Sequence, residues 1–251
     1  MADLFDLKGR VALVTGGSRG LGRAMALGFA RAGADVAIAS RKLDACRAVA
    51  GEVEALGRRA LAFACHVGRW GELDALTEAV YGRFGRVDVL VNNAGMSPVA
   101  PSSVETSEEL YDKVLAVNLK GPFRLTALVG SRMAAAGGGS IINVSSVASI
   151  RPTPETAPYA AAKAGLNAIT VAYAHEFGPR VRVNCIMAGP FATDASRLWI
   201  HGEAFREQAR RAFALGRAGR PEEIVGTALY LASDASSFTT GAVIRVDGGA
   251  P

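Results

Sequence analysis

The stretch Arg10-Val11-Ala12-Leu13-Val14-Thr15-Gly16-Gly17-Ser18-Arg19-Gly20-Leu21-Gly22 decides the fold. Its first six residues form a short apolar, β-branched run, the pattern of a buried strand, and the residues from Gly22 to Ala32 carry a helical pattern. Between the two lies a turn built on Gly16, Gly20 and Gly22. Glycine lets backbone approach a ligand closely, and a helix N-terminus presents free N–H groups and a positive dipole end. A glycine turn alone marks only a tight bend. With a strand before it and a helix after it, the turn predicts a phosphate cradle held by Gly16, Ser18, Arg19, Gly20, Leu21 and Gly22.

Working outward, residues 35–40 form a second strand that ends in Ser40-Arg41-Lys42. In dinucleotide-binding sheets an acid at this end holds the ribose hydroxyls, whereas an arginine accommodates a 2′-phosphate. Asp35 stands at the beginning of the strand and reads as a turn residue. Arg19 and Arg41 can together clamp a 2′-phosphate beside Ser40, which predicts NADP(H) over NAD(H). The alternative for Arg41 is a solvated residue at the start of a helix.

The alternation continues with strands at 59–64, 87–91, 139–145, 181–187 and 242–246, and with helices between them. The expected fold class is α/β: a single Rossmann-type doubly wound parallel sheet of about seven strands with helices on both faces. Residues 1–251 are expected to form a single dinucleotide-binding and catalytic domain. The segment at about 194–219, with Trp199, Phe205 and Phe213 among charges, reads either as a helical cover over a substrate pocket or as aromatic anchoring of the core. A long helix over about 107–136 contains Asn118 and then Gly121-Pro122. Proline brings no N–H to the carbonyl four residues earlier, so a kink there frees the Asn118 carbonyl to hold a water.

Ser146 stands just past the 139–145 strand, and Tyr159 and Lys163 follow in an alanine-rich helix. At i and i+4 the phenol and the ammonium share one helix face. A nearby cation favours the phenolate and so tunes a group that otherwise titrates near ~10.

Composition excludes several classes. Half of the 251 residues are apolar and a fifth charged, with no low-complexity tract, as expected of a soluble globular protein. The net charge of +5 comes from scattered arginines, with no groove-reading motif for nucleic acid. Met133 to Ile150, the longest uncharged run, is too polar to span a membrane. Neither end carries a signal core or address tag, which predicts a cytoplasmic protein. Three separated cysteines and three separated histidines predict neither a disulfide framework nor a metal site.

Taken together, Thr15-Gly16-x-x-x-Gly20-x-Gly22, Asn92-Asn93-Ala94-Gly95, Asn118, Ser146, Tyr159-x-x-x-Lys163 and the ending Asp247-Gly248-Gly249 resemble the short-chain dehydrogenase/reductases in order and spacing. The resemblance covers about residues 8–249. It implies reversible hydride transfer between nicotinamide and a carbonyl or alcohol carbon of a small molecule. Tyr159 is then the general acid/base, Ser146 bonds the substrate oxygen, Lys163 binds the nicotinamide ribose and lowers the Tyr159 pKa, and Asn118 holds a relay water. The cofactor would also contact Asn93, Ala94, Gly95, Gly189 and Thr193, with Ile186 and Thr193 flanking the nicotinamide. A homotetramer is expected, with the two long helices forming one interface.

Two positions depart from the family pattern. His66-Val67 stands where Asp-Val is common, with the Asp near adenine, and Ala188-Gly189 stands where Pro-Gly is common. The stretch Cys65-His66-Val67-Gly68 is also similar to vertebrate NADP-dependent carbonyl and retinol reductases. The leading expectation is an NADP(H)-dependent carbonyl reductase or alcohol dehydrogenase. A 3-oxoacyl carrier-protein reductase is the alternative, although Met133 to Gly139 lacks the basic residues many of those enzymes show. A non-catalytic NADP(H)-sensing protein is the remote alternative.

Overall fold

The computed structural model describes residues 4–194 and 196–250. Seven strands form one sheet: β1 (Val11–Thr15), β2 (Asp35–Ser40), β3 (Ala60–Ala64), β4 (Val89–Asn92), β5 (Gly139–Ser146), β6 (Val181–Ala188) and β7 (Val243–Val246). Their order across the sheet is β3-β2-β1-β4-β5-β6-β7, and every neighbouring pair is parallel. The order reverses direction between β1 and β4. Ligands of open parallel sheets bind at such a switch point, beyond the carboxyl ends of the strands.

Parallel strands covered on both faces read as continuous apolar runs, and β1 is buried at all five positions. Successive residues feed opposite faces. Val14 and Ile142 join a core with Met25 and Phe29 of α1 (Gly20–Arg31), Val53 of α2 (Leu43–Ala55) and Leu231 of α9 (Val225–Ala232). Leu13 and Ile141 join a second core with Leu76 of α3 (Trp70–Phe84), Leu125 of α5 (Gly121–Ala135) and Phe177 of α6 (Ala157–Phe177). The two cores, one per face, hold the strand ends rigidly beneath the site.

The helix expected over 107–136 is not uniform. Ser107 caps α4 (Glu108–Leu115) by accepting the Leu110 N–H at 3.2 Å. A π turn at Ala116–Lys120 then joins α4 to α5, and the Gly121 N–H reaches the Ala116 carbonyl five residues back. The break predicted from Pro122 is thus absorbed as an extra residue in the turn that carries Asn118. Gly121 is required here for a second reason: a Cβ would run into the Val67 carbonyl oxygen of the segment after β3.

Asp35 is not a turn residue. It lies in β2, accepts the Arg59 N–H at 2.8 Å and pairs with the Arg59 guanidinium at 2.7 Å, fastening β2 to the start of β3. The 194–219 segment contains two helices, α7 (Arg197–Ile200) and α8 (Glu203–Ala212). Trp199 meets Phe205 edge-on at 5.1 Å, and Phe205 meets Phe213 at 5.9 Å. Among the described residues no helix is long and apolar enough to cross a membrane.

Candidate active site

The glycine turn sits at the carboxyl end of β1, against the segment that leaves β4. Thr15 lies beneath both. Its Oγ1 donates to the Val91 carbonyl and accepts the N–H groups of Asn93 and Ala94 at 3.1 and 3.2 Å. Asn93 Nδ2 donates to the carbonyls of Thr15 and Gly16. The Asn93 side chain therefore fixes the turn from below.

The turn has no room for side chains. A Cβ at Gly16 would lie 2.8 Å from Asn93 Nδ2, and one at Gly22 would strike the Gly16 carbonyl oxygen. Gly16 and Gly20 also have φ of 64° and 53°, a region that L side chains rarely adopt. Opposite the turn, a Cβ at Gly20 would meet the Thr193 methyl at 3.3 Å, so the loop after β6 forms the facing wall. Such a cradle, closed to any Cβ and opening onto the N-terminus of α1, fits a pyrophosphate. Gly22→Ala is expected to cost about 1–3 kcal/mol by overpacking. Urea unfolding checks this, and an unchanged midpoint would mean that the turn relaxes.

Beyond the cradle, Ser18 and Ser40 bond hydroxyl to hydroxyl at 2.8 Å, which ties the glycine turn to the end of β2. Arg19 and Arg41 are exposed, and neither has an ion pair among the described residues. Leu21 is half-buried and packs on the first core, so its side chain anchors α1 while its backbone faces the cradle. Gly189 is confined by Asp247, which a Cβ would approach to 2.6 Å, so the Asp247-Gly248-Gly249 turn braces the loop after β6.

A second group of side chains lies across β4 and β5 from the cradle. The Ser146 hydroxyl stands beside the Tyr159 phenol, where it favours the ionised form, and the Lys163 ammonium lies 5.7 Å from the centre of the Tyr159 ring. A Cβ on Gly95 would be 3.0 Å from Asn118 Oδ1 and 3.6 Å from Lys163 Nζ, so these three meet at one point. Asn118 is fully buried. Its amide donates to the carbonyls of Met96 and Val114 at 2.8 and 3.0 Å and accepts the Met96 N–H at 3.2 Å. These bonds hold the strand-to-helix segment after β4 in place and occupy the side chain.

Lys163 is held at both ends. Its Nζ donates to the Val144 carbonyl at 2.7 Å, and its own carbonyl accepts the Ser145 hydroxyl at 3.1 Å. Burial pulls its pKa down to about 8, against a smaller upward pull from Cys185. Burial likewise raises the Tyr159 phenol, and the Ser146 hydroxyl opposes it. On the phenol, desolvation comes first and the Ser146 hydroxyl second.

The lowered Lys163 pKa has a stability consequence. Between pH 8 and 10.5 the unfolded chain holds a proton that the folded chain has released, so stability rises with pH. The contribution is complete above 10.5 and is lost as pH falls through 8. Relative to Lys163→Met, the wild type is expected to gain ~3 kcal/mol across that window, at ~1.4 kcal/mol per unit. Chemical unfolding of both proteins at the two ends of the window checks it, and parallel pH dependences would contradict it.

The sequence reading missed Thr15 as an anchor, Ser145 and Val144 as the clamp on Lys163, and Ser196. Ser196 Oγ accepts the Thr193 N–H at 3.0 Å and donates to the Phe191 carbonyl at 2.6 Å, fixing Thr193 opposite Gly20. Thr15 opens the quoted glycine motif and Ser145 precedes Ser146, and those positions were the available signal. Ile186, expected at the nicotinamide, is instead enclosed in the first core with no exposed surface. It is a mid-strand β6 residue paired with Val144 and Ile244.

The sheet order, its switch point and the closed glycine cradle define a dinucleotide-binding protein of the doubly wound class. Residues 16–251 match a family model described as enoyl-(acyl carrier protein) reductase. The chain is 35% identical over 247 residues to human dehydrogenase/reductase SDR family member 4, covering 98% of this chain and 88% of the relative. It is 39% identical over 244 residues to the 3-oxoacyl acyl-carrier-protein reductase of Thermotoga maritima, covering 97% and 98%. A gluconate 5-dehydrogenase from Burkholderia cenocepacia, solved in complex with NADP and tartrate, superposes with a TM-score of 0.93 at 34% identity, covering 98% and 97%. The chain belongs to the short-chain dehydrogenase/reductase family of oxidoreductases, whose members act on CH–OH and C=O groups.

Proposed function

We propose that the protein is an NADP(H)-dependent oxidoreductase that interconverts a small-molecule carbonyl and its secondary alcohol. The observation that carries the reading is the grouping of the Ser146 hydroxyl, the Tyr159 phenol and the buried Lys163 ammonium, across the strand ends from a cradle that fits a pyrophosphate. NADP(H), when bound, supplies or accepts the hydride. Ser146 and Tyr159 then act on the substrate oxygen. Two hydroxyl donors, Ser146 held by the Ala148 N–H and Tyr159 carried on α6, stabilise the charge that develops there, and Tyr159 passes its proton to it. In the reverse direction the same phenol oxygen takes the proton back.

Burial favours the protonated phenol in the free chain, which suits Tyr159 as the donor in carbonyl reduction. Lys163, clamped by Val144 and Ser145, orients the nicotinamide ribose. The π turn offers the Asn118 carbonyl for a water between Lys163 and solvent, because Pro122 cannot bond it. Arg19 and Arg41, next to Ser18 and Ser40 and without an ion pair among the described residues, support NADP(H) over NAD(H). A relative solved with NADP accords with that preference.

Residues 1–251 act as a single dinucleotide-binding and catalytic domain, with the helical segment at about 194–219 covering the substrate. A groove of about 750 Å³ along α4, α5 and α6, lined by Trp70, Leu115, Leu119, Phe123 and Ile169, supports a homotetramer assembled through the long helices. The protein is cytoplasmic. Initial rates with NADPH and NADH against ketones, diketones, quinones, keto sugars and 3-oxoacyl thioesters test the proposal. Turnover of one class with NADPH is the expected result, and bound NADPH with no turnover of any class would favour a sensing role.

A further inference from the structure

The segment after β3 departs from its surroundings in the hydrogen bonds it offers. The His66 N–H donates to Glu72 Oε2 at 2.7 Å, and Glu72 is held in turn by Arg69. The Gly68 N–H donates to His66 Nδ1 at 3.2 Å. A ring nitrogen that accepts an N–H carries no proton, so the neutral imidazole keeps its proton on Nε2. Among the described residues, neither His66 Nε2 nor the N–H of the buried Val67 has a hydrogen-bond partner. Two adjacent donors are thus left free at the end of β3.

Sheet topology says what they face. Phosphates bind at the start of α1, after β1, and the adenosine ribose lies over the end of β2, at Ser40 and Arg41. The strands are ~4.8 Å apart, so the base continues outward over β3. Ser40 is in register with Ala64, and the Cys65 N–H bonds the Ser40 carbonyl at 2.9 Å, which puts His66 and Val67 just past that strand end. The edge of adenine presents a donor, the N6 amine, beside an acceptor, N1. Hypoxanthine exchanges both, with an O6 acceptor beside an N1–H donor.

We infer that His66 relaxes base selection, so that the site takes a hypoxanthine nicotinamide dinucleotide as readily as the adenine one. The inference rests on the dinucleotide reading above. Adenine gives N1 to the Val67 N–H but sets its amine against the Nε2 proton of His66. Hypoxanthine gives O6 to His66 but sets N1–H against the Val67 N–H. Each base satisfies one donor and opposes the other. An aspartate at position 66 reverses one half of this: one oxygen takes the Gly68 N–H and the other accepts the adenine amine, while hypoxanthine is opposed twice. Asparagine, of nearly the same shape, spends its oxygen on Gly68 and keeps a donor towards the base.

The test is equilibrium binding of NADPH and its hypoxanthine analogue, by calorimetry or cofactor fluorescence, to the wild type, His66→Asp and His66→Asn. The two dissociation constants are expected to agree within about threefold for the wild type and His66→Asn, and to differ by at least about tenfold in favour of adenine for His66→Asp. Because the two variants are near-isosteric, the contrast between their ratios holds even if both bind more weakly. A wild-type preference for adenine of tenfold or more, or equal ratios in His66→Asp and His66→Asn, overturns the inference while leaving the NADP(H) reading standing. Failure of either dinucleotide to bind the wild type overturns both.

Discussion

Tyr159→Phe is expected to lower kcat by about 10³-fold while the dissociation constant for NADPH changes by less than about twofold, because a positioned general acid contributes ~10²–10⁴-fold. The side chain leaves α6 two residues into the helix, and phenylalanine keeps its packing and volume. What is lost is one oxygen, the neighbour of the Ser146 hydroxyl and the source of the proton for the substrate oxygen. Ser146 itself stays placed, because its Oγ also accepts the Ala148 N–H at 3.2 Å. Steady-state rates and a fluorescence titration on the same preparations separate the two effects. A parallel loss of binding and turnover would assign Tyr159 to the architecture of the site.

Arg41→Asp is expected to shift the NADPH-to-NADH preference by about 10²-fold, most of it through weaker NADPH binding. Arg41 follows β2 directly, is exposed, and has no carboxylate partner among the described residues, so its charge is available to a ligand. Arg19 approaches from the glycine turn, and the Ser18–Ser40 bond holds the two loops together. A carboxylate at position 41 would repel a 2′-phosphate and accept from ribose hydroxyls, inverting the preference. Ratios of kcat/KM for the two cofactors measure this, and a variant that still prefers NADPH would place the 2′-phosphate elsewhere or make Arg19 sufficient.

Much of this was legible in the chain. All seven strands fall within two residues of where apolar runs placed them, and the central ones, such as β1 and β4, are buried throughout and leave an unbroken hydrophobic signature. The Tyr159 and Lys163 spacing gave one helix face, and Pro122 marked the break beside Asn118. The tertiary consequences were not legible. Asp35 was read as a turn residue because its partner, Arg59, is brought alongside only when β3 pairs with β2. The resemblance set Ile186 at the nicotinamide, but its exposure depends on what β5 and β7 pack beside it. The burial of Lys163 and its bond to the Val144 carbonyl appear only once α6 lies on β5. The preference of His66 for Gly68 is local in sequence, but it acquires meaning only from the strand order.

The most direct test of the account is the fate of the hydride. NADPH carrying deuterium at both C4 positions would be incubated with the carbonyl substrate that the rate survey identifies, and the product analysed by mass spectrometry. The account predicts one deuterium on the carbinol carbon with the wild type and almost none with Tyr159→Phe over the same interval. NADPH bound at the cradle with no deuterium delivered to any carbonyl, or delivery that is unaffected by loss of the Tyr159 hydroxyl, would contradict it.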